Sequence, residues 1–77
     1  MFKLPALKAK RILKILLKLN FYIHHQVGSH IQLRHHEKKY LRVTIPRHDN
    51  FDLPVFVVHS ILKQAEINKE EFWNLLK

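Results

Sequence analysis

Between residues 21 and 45 apolar and polar side chains alternate in three consecutive stretches, and this alternation sets the tightest limit on the fold. Phe21, Ile23 and Val27 alternate with Tyr22, His24 and Gln26; Ile31 and Leu33 alternate with His30, Gln32 and Arg34; Leu41, Val43 and Ile45 alternate with Tyr40, Arg42 and Thr44. A period of two sends successive side chains to opposite faces of a strand, so the pattern predicts a three-stranded antiparallel sheet with one buried face. Residues paired across strands share a face, so Ile23 has to oppose Ile31 or Leu33. A two-residue Gly28-Ser29 hairpin alone would pair Val27 with His30 and set Ile23 against Arg34. The first connection therefore needs an odd loop or a bulge, which Gly28 is suited to supply. By the same parity Leu33 should face Leu41 or Val43, with an odd loop within residues 36–39.

Helical periodicity flanks the strands. Leu4-Pro5 is the expected opening of a first helix, with Leu7, Ile12, Leu13, Leu16, Leu17 and Leu19 at core spacing and Lys10, Lys14 and Lys18 in an exposed i,i+4 row. Asn20 fits a left-handed stop. Pro46 ends the third strand, residues 47–52 read as a polar loop, and Pro54 starts a second helix through Val57, Val58, Ile61, Leu62 and Ala65. Asn68 with Glu71 forms an N-cap and its box partner, and Ile67 with Phe72 has the spacing of a hydrophobic staple. A short last helix follows through Phe72, Trp73, Leu75 and Leu76. The expectation is a small α+β domain over residues 1–77, α-β-β-β-α, with helices on one face of the sheet, the element order of double-stranded-RNA-binding domains.

Such a sheet leaves one face open, displaying on this register Tyr22, His24, Gln26, His30, Gln32, Arg34, Tyr40, Arg42 and Thr44. No carboxylate is among them. The chain of 77 residues carries 14 Lys and Arg against 6 Asp and Glu, a formal charge of +8, with 7 histidines besides. That imbalance points to nucleic acid, an acidic protein or an anionic membrane. A chain this short buries only about 60–65% of its unfolded surface, which favours a macromolecular ligand on an open face over a metabolite in a deep pocket. With no cysteine there is no disulfide and no thiolate metal site, and the cytoplasm is the default expectation. Lysines at 8, 10, 14 and 18 interrupt every apolar run near the N-terminus, so neither a signal-peptide core nor a membrane span is expected there.

Several short motifs stand in a fixed order: Lys3-Leu4-Pro5, a leucine-rich helix ending at Phe21, Gly28-Ser29-His30, Val43-Thr44-Ile45-Pro46-Arg47-His48, Ile61-Leu62-Lys63-Gln64-Ala65 and Glu70-Glu71-Phe72. In that order and spacing the chain resembles HicA-type toxins along nearly its whole length. The resemblance implies a ribonuclease that cuts messenger RNA and is held inactive by a HicB-type antitoxin. It also implies that the histidine of the Gly-Ser-His turn, His30, is catalytic. Three positions depart from the family pattern. Asn20 stands where glycine is usual before the phenylalanine. Glu66 replaces the usual glycine after Lys-Gln-Ala. Val55-Phe56 replaces a Gly-Thr-like pair and alters the partner surface.

RNA carries its own nucleophile, the 2′-hydroxyl, and a histidine base near neutral pKa suits its activation. On this reading His30 is the base and His48 the candidate acid. Arg34, Arg42 or Arg47 steadies the phosphate, Gly28 lets the RNA backbone approach, and Ser29 holds the turn. Lys38, Lys39 and His24 are further candidate RNA contacts. His25 and His35 read as rim or core packing, His36 as part of a solvated turn, and His59 as exposed or partner-facing. The adjacent pairs His24-His25 and His35-His36 are expected to point to opposite faces, which suits chelation poorly. Cleavage without metal or cofactor is therefore expected. Two alternatives use the same basic face: a non-catalytic RNA- or DNA-binding module, and a protein-interaction domain matched to an acidic partner.

Overall fold

A computed structural model describes residues 3–48 and 50–76; Met1, Phe2, Lys77 and Asp49, the last within the expected polar loop, lie outside the described residues. Along the chain run α1 (Ala9–Lys18), β1 (Phe21–Val27), β2 (His30–His35), β3 (Arg42–Pro46), α2 (Val55–Ala65) and α3 (Lys69–Leu76). The three strands form one antiparallel sheet in the order β1-β2-β3. This is the expected α+β architecture, with α1 and α2 against one sheet face and α3 against α1.

The first helix starts at Ala9, four residues after Pro5. The backbone before it is engaged elsewhere: Leu7 forms an antiparallel bridge with Leu53, its N–H 3.3 Å from the Leu53 carbonyl and the return bond at 2.7 Å. Leu4 and Leu7 thereby reach the core from an extended segment. Within α1 the buried stripe is Ala9, Ile12, Leu13, Ile15 and Leu16. Leu17, expected in the core, is 45% exposed, and Ile15 takes its place. Asn20 ends the turn at φ 75°, as its type suggests.

The sheet meets its register demand by an unexpected route. Gly28, at φ +59°, and Ser29 close a tight two-residue turn, with Val27 opposite His30. Glycine in the first central position is the requirement of a II′ hairpin. Such a turn has no spare residue, so the parity is corrected inside β1. The register shifts between Ile23 and His25, leaving His24 as a bulge and returning Ile23 to Leu33. The bulge is therefore at His24 and not at Gly28. Across β2 and β3, Leu33 faces Val43 and Ile31 faces Ile45, as the alternation required.

Those four inward residues are joined by Phe21, Ile12, Leu16, Leu53, Val58, Ile61, Leu62 and Phe72 in one buried cluster. α2 also shields the sheet edge, because the Thr44 N–H donates to the Gln64 side-chain carbonyl at 3.0 Å. An unpaired edge N–H is a template for unwanted pairing, so Gln64 of the Lys-Gln-Ala motif has a structural task. Asn68 caps α3 by accepting the Glu71 N–H at 2.7 Å, and the Arg11 guanidinium covers the Leu76 carbonyl at 2.6 Å. No helix among the described residues is long and apolar enough to cross a membrane.

Candidate nucleic-acid interface and cleavage site

The register sorts the open face into three rows across the strands. Val27, His30 and Pro46 form the row at the Gly28-Ser29 turn; His25, Gln32 and Thr44 form the middle row; Tyr22, Arg34 and Arg42 form the row at the far end. The bulge changes the membership expected from strict alternation. Gln26 pairs with Ile31 and leaves the face, its amide donating to the Gly28 carbonyl at 3.1 Å, while His25 and Val27 join the face. Tyr40 lies in the turn before β3, and its hydroxyl donates to the Glu66 carboxylate at 3.0 Å, drawing it toward the end of α2. That hydrogen bond, with some desolvation and the carboxylate's charge, raises the Tyr40 pKa above the ordinary phenol value. Among the described residues the face retains no carboxylate.

At the turn, the His30 side chain is exposed and makes no hydrogen bond or ion pair with any described residue. Its backbone is held on both sides, paired with Val27 and with Pro46. Beyond Pro46 the Arg47 N–H donates to the Ser29 carbonyl, which extends the ladder by one residue and ties the turn to the following loop. His48 comes next in the chain and stacks on Phe51, with ring centroids 5.3 Å apart and planes 13° apart. Ser29 and Arg47 are half-buried, and on the alternation of β3 Arg47 falls on the side of Ile45. Gly28, Ser29, His30, Arg47 and His48 thus gather at one end of the sheet.

Arg34, Arg42, Lys38 and Lys39 gather at the other end. Arg34 and Arg42 are directly opposed across β2 and β3, and neither has an ion pair among the described residues. Lys38 and Lys39 are exposed in the loop between these strands. His30 and Arg34 are four residues apart on one strand, about 13 Å at the usual rise. The arginines do not converge on the histidine.

His24 and His25 depart from expectation. The bulge lets both rings turn the same way, with Nδ1 atoms 3.0 Å apart and ring centroids 5.2 Å apart, so one imidazole donates to the other. Two rings do not complete a metal site, and no group of three potential ligands occurs among the described residues. His35 is the buried histidine and is structural. Its Nδ1 accepts the N–H groups of Glu37 and Lys38 at 3.1 and 3.0 Å, its Nε2–H donates to the Leu19 carbonyl at 3.0 Å, and Phe21 packs edge-on against it.

Sequence reasoning missed the pairing of Tyr22 with His36. Their rings lie 4.5 Å apart with planes 33° apart, at the arginine end of the face. The only signal was that both are aromatic near a strand end, since their contact crosses from β1 to the loop after β2. On the helical side, Phe56 is 75% and Val55 46% exposed at the start of α2.

A comparison with models of known protein families matches residues 9–67 to the HicA toxin of bacterial toxin-antitoxin systems. Comparisons with curated proteins and with solved structures give no match.

Proposed function

The chain belongs to the HicA family of bacterial toxins, and from that premise we propose that it is a metal-independent endoribonuclease with His30 as its general base. The observation that carries this reading is the placement of His30. An exposed imidazole with no hydrogen-bond partner among the described residues stands beside a tight turn at the rim of a cationic sheet face on which no described carboxylate lies.

The reaction needs no outside nucleophile. His30 takes the proton from a ribose 2′-hydroxyl as O2′ bonds to the adjacent phosphorus. The P–O5′ bond breaks, and the departing O5′ takes a proton from a protonated acid, for which His48 is the nearest candidate along the chain. The products are a 2′,3′-cyclic phosphate and a 5′-hydroxyl end. A placed base of this kind contributes about 10²–10⁴-fold, and cations along the face bind the strand electrostatically. The substrate is messenger RNA in the cytoplasm. A HicB-type antitoxin would silence the toxin by covering the basic face, with Val55 and Phe56 as added apolar contact.

The test is cleavage of a defined RNA in EDTA by wild type and His30→Ala at equal folded concentration. The expected result is loss of cutting by 10²-fold or more, with RNA binding and the unfolding midpoint retained. Equal cutting by both proteins would remove His30 from the mechanism. Binding without cutting by the wild type would leave a non-catalytic RNA-binding module in its place.

A further inference from the structure

We propose that the Tyr22, Arg34, His36 and Arg42 cluster is a second nucleotide subsite for single-stranded RNA, separate from the cleavage end. Arg34 and Arg42 would share one phosphate there, and an unpaired base would stack on the Tyr22–His36 rings. The inference rests on the RNA-cleaving reading for its ligand class but names a place and a task which that reading does not.

Three observations converge on it. Arg34 and Arg42 are direct cross-strand partners, and like charges so placed destabilise a sheet. No described residue neutralises either one. The nearest carboxylate in the loop, Glu37, is engaged by the Asn20 amide at 2.8 Å. A pair of guanidinium groups left opposed on an open face is a matched site for one phosphate, which guanidinium binds with two parallel N–H bonds.

The aromatic pair lies beside them. Tyr22 is the partner of Arg34 on β1, and the His36 ring lies 4.5 Å from the Tyr22 ring. His36 is exposed and Tyr22 half-buried, so a ring face remains open to a third ring. Phosphate-binding cations beside aromatic rings are how sheet surfaces hold unpaired RNA, because bases stack on rings without regard to sequence. A duplex buries its base faces, so the pair selects single strands.

The separation gives the subsite its role. Four residues of β2, about 13 Å, lie between Arg34 and His30. That exceeds one nucleotide of a strand, so a phosphate held by the arginines is roughly two nucleotides from the one at His30. Lys38 and Lys39, beyond the arginines, extend the same track. The cluster acts on binding and positioning, and the bond-breaking chemistry stays at the turn.

The test uses RNA with 2′-O-methyl sugars, which binds but cannot be cut, as a dinucleotide and as an octanucleotide. Wild type should bind the octanucleotide at least tenfold more tightly than the dinucleotide. Arg34→Ser with Arg42→Ser, and separately Tyr22→Leu with His36→Ala, should each reduce that advantage about tenfold or more. With cleavable octanucleotide the loss should appear in KM and not in kcat. The arginine variant should also unfold at higher urea than wild type, since a repulsive pair is gone. A purely structural role predicts the reverse shift.

An unchanged octanucleotide advantage in either variant would overturn the subsite. A loss of kcat with KM unchanged would overturn it too, by assigning these residues to the scissile phosphate. If wild type binds the octanucleotide through this cluster but cuts nothing, the subsite stands and the nuclease reading falls. If RNA fails to bind while an acidic peptide does, and the arginine variant abolishes that binding, the site is a protein contact and the subsite is refuted.

Discussion

Gly28 and His35 show how single residues hold this face in place. Gly28 adopts φ +59°, and a Cβ built there meets nothing within 4 Å. Any penalty for a side chain is therefore backbone strain alone, about 1–2 kcal/mol for an L-residue in the left-handed region. Gly28→Ala should lower stability by that amount in urea unfolding, with the same fold by circular dichroism. A cost above about 4 kcal/mol would contradict the open space. His35 joins three elements, since one imidazole bonds the end of α1 and two loop amides. Replacement by leucine keeps volume but leaves three backbone groups to find water, and should cost about 1–3 kcal/mol. Amide exchange at Glu37 and Lys38 should quicken with it. Unchanged exchange there would show that the loop is ordered without the ring.

Among the elements, the end of α2 carries a local conflict. Glu66 is left-handed at φ 57°, where glycine is the usual C-terminal residue of a helix. The conformation costs about 1–2 kcal/mol. Its compensation, the bond from Tyr40, lies at the surface, where water competes for both partners, and returns less. Glu66→Gly should therefore stabilise the protein by about 0.5–1 kcal/mol, read from the urea midpoint; a lower midpoint would mean that the Tyr40 tie outweighs the strain. This strain was legible beforehand, because a glutamate followed a helix where the resemblance expects glycine. The strands were legible for a similar reason, since a period of two admits one pleat. The bulge at His24 was not. Parity demanded an extra residue somewhere between Ile23 and Ile31 without saying where, and the tight Gly28-Ser29 turn excluded the position first favoured. One shifted residue then exchanged Gln26 for His25 and Val27 on the face and brought two imidazoles together. His30 kept its place because it follows the turn directly, whereas the Tyr22–His36 contact depends on packing between a strand and a distant loop.

For the whole molecule the governing quantity is a charge of +8 on 77 residues. Among the described residues the structure gives one ion pair, Lys8 with Asp52 at 3.6 Å, both half exposed. Most of the positive charge is thus unneutralised within the fold, and two consequences of opposite sign follow for added salt. Self-repulsion is screened over a Debye length of about 10 Å at 0.1 M, so stability should rise as salt goes from 50 to 200 mM. Binding to RNA should weaken over the same range, because each neutralised phosphate releases a counterion. If Lys38, Lys39 and the Arg34–Arg42 pair together engage about three phosphates, the logarithm of affinity should fall with that of salt at a slope near −2.1 for a single strand. Between 50 and 200 mM that is a loss of roughly twentyfold. Removing Arg34 and Arg42 should bring the slope to about −1.4 and flatten the rise in stability, because the same two side chains repel each other in the free protein and hold phosphate in the complex. The two titrations are therefore coupled through one pair of residues. A slope unchanged by their removal would place the bound strand elsewhere on the molecule, whatever His30 does.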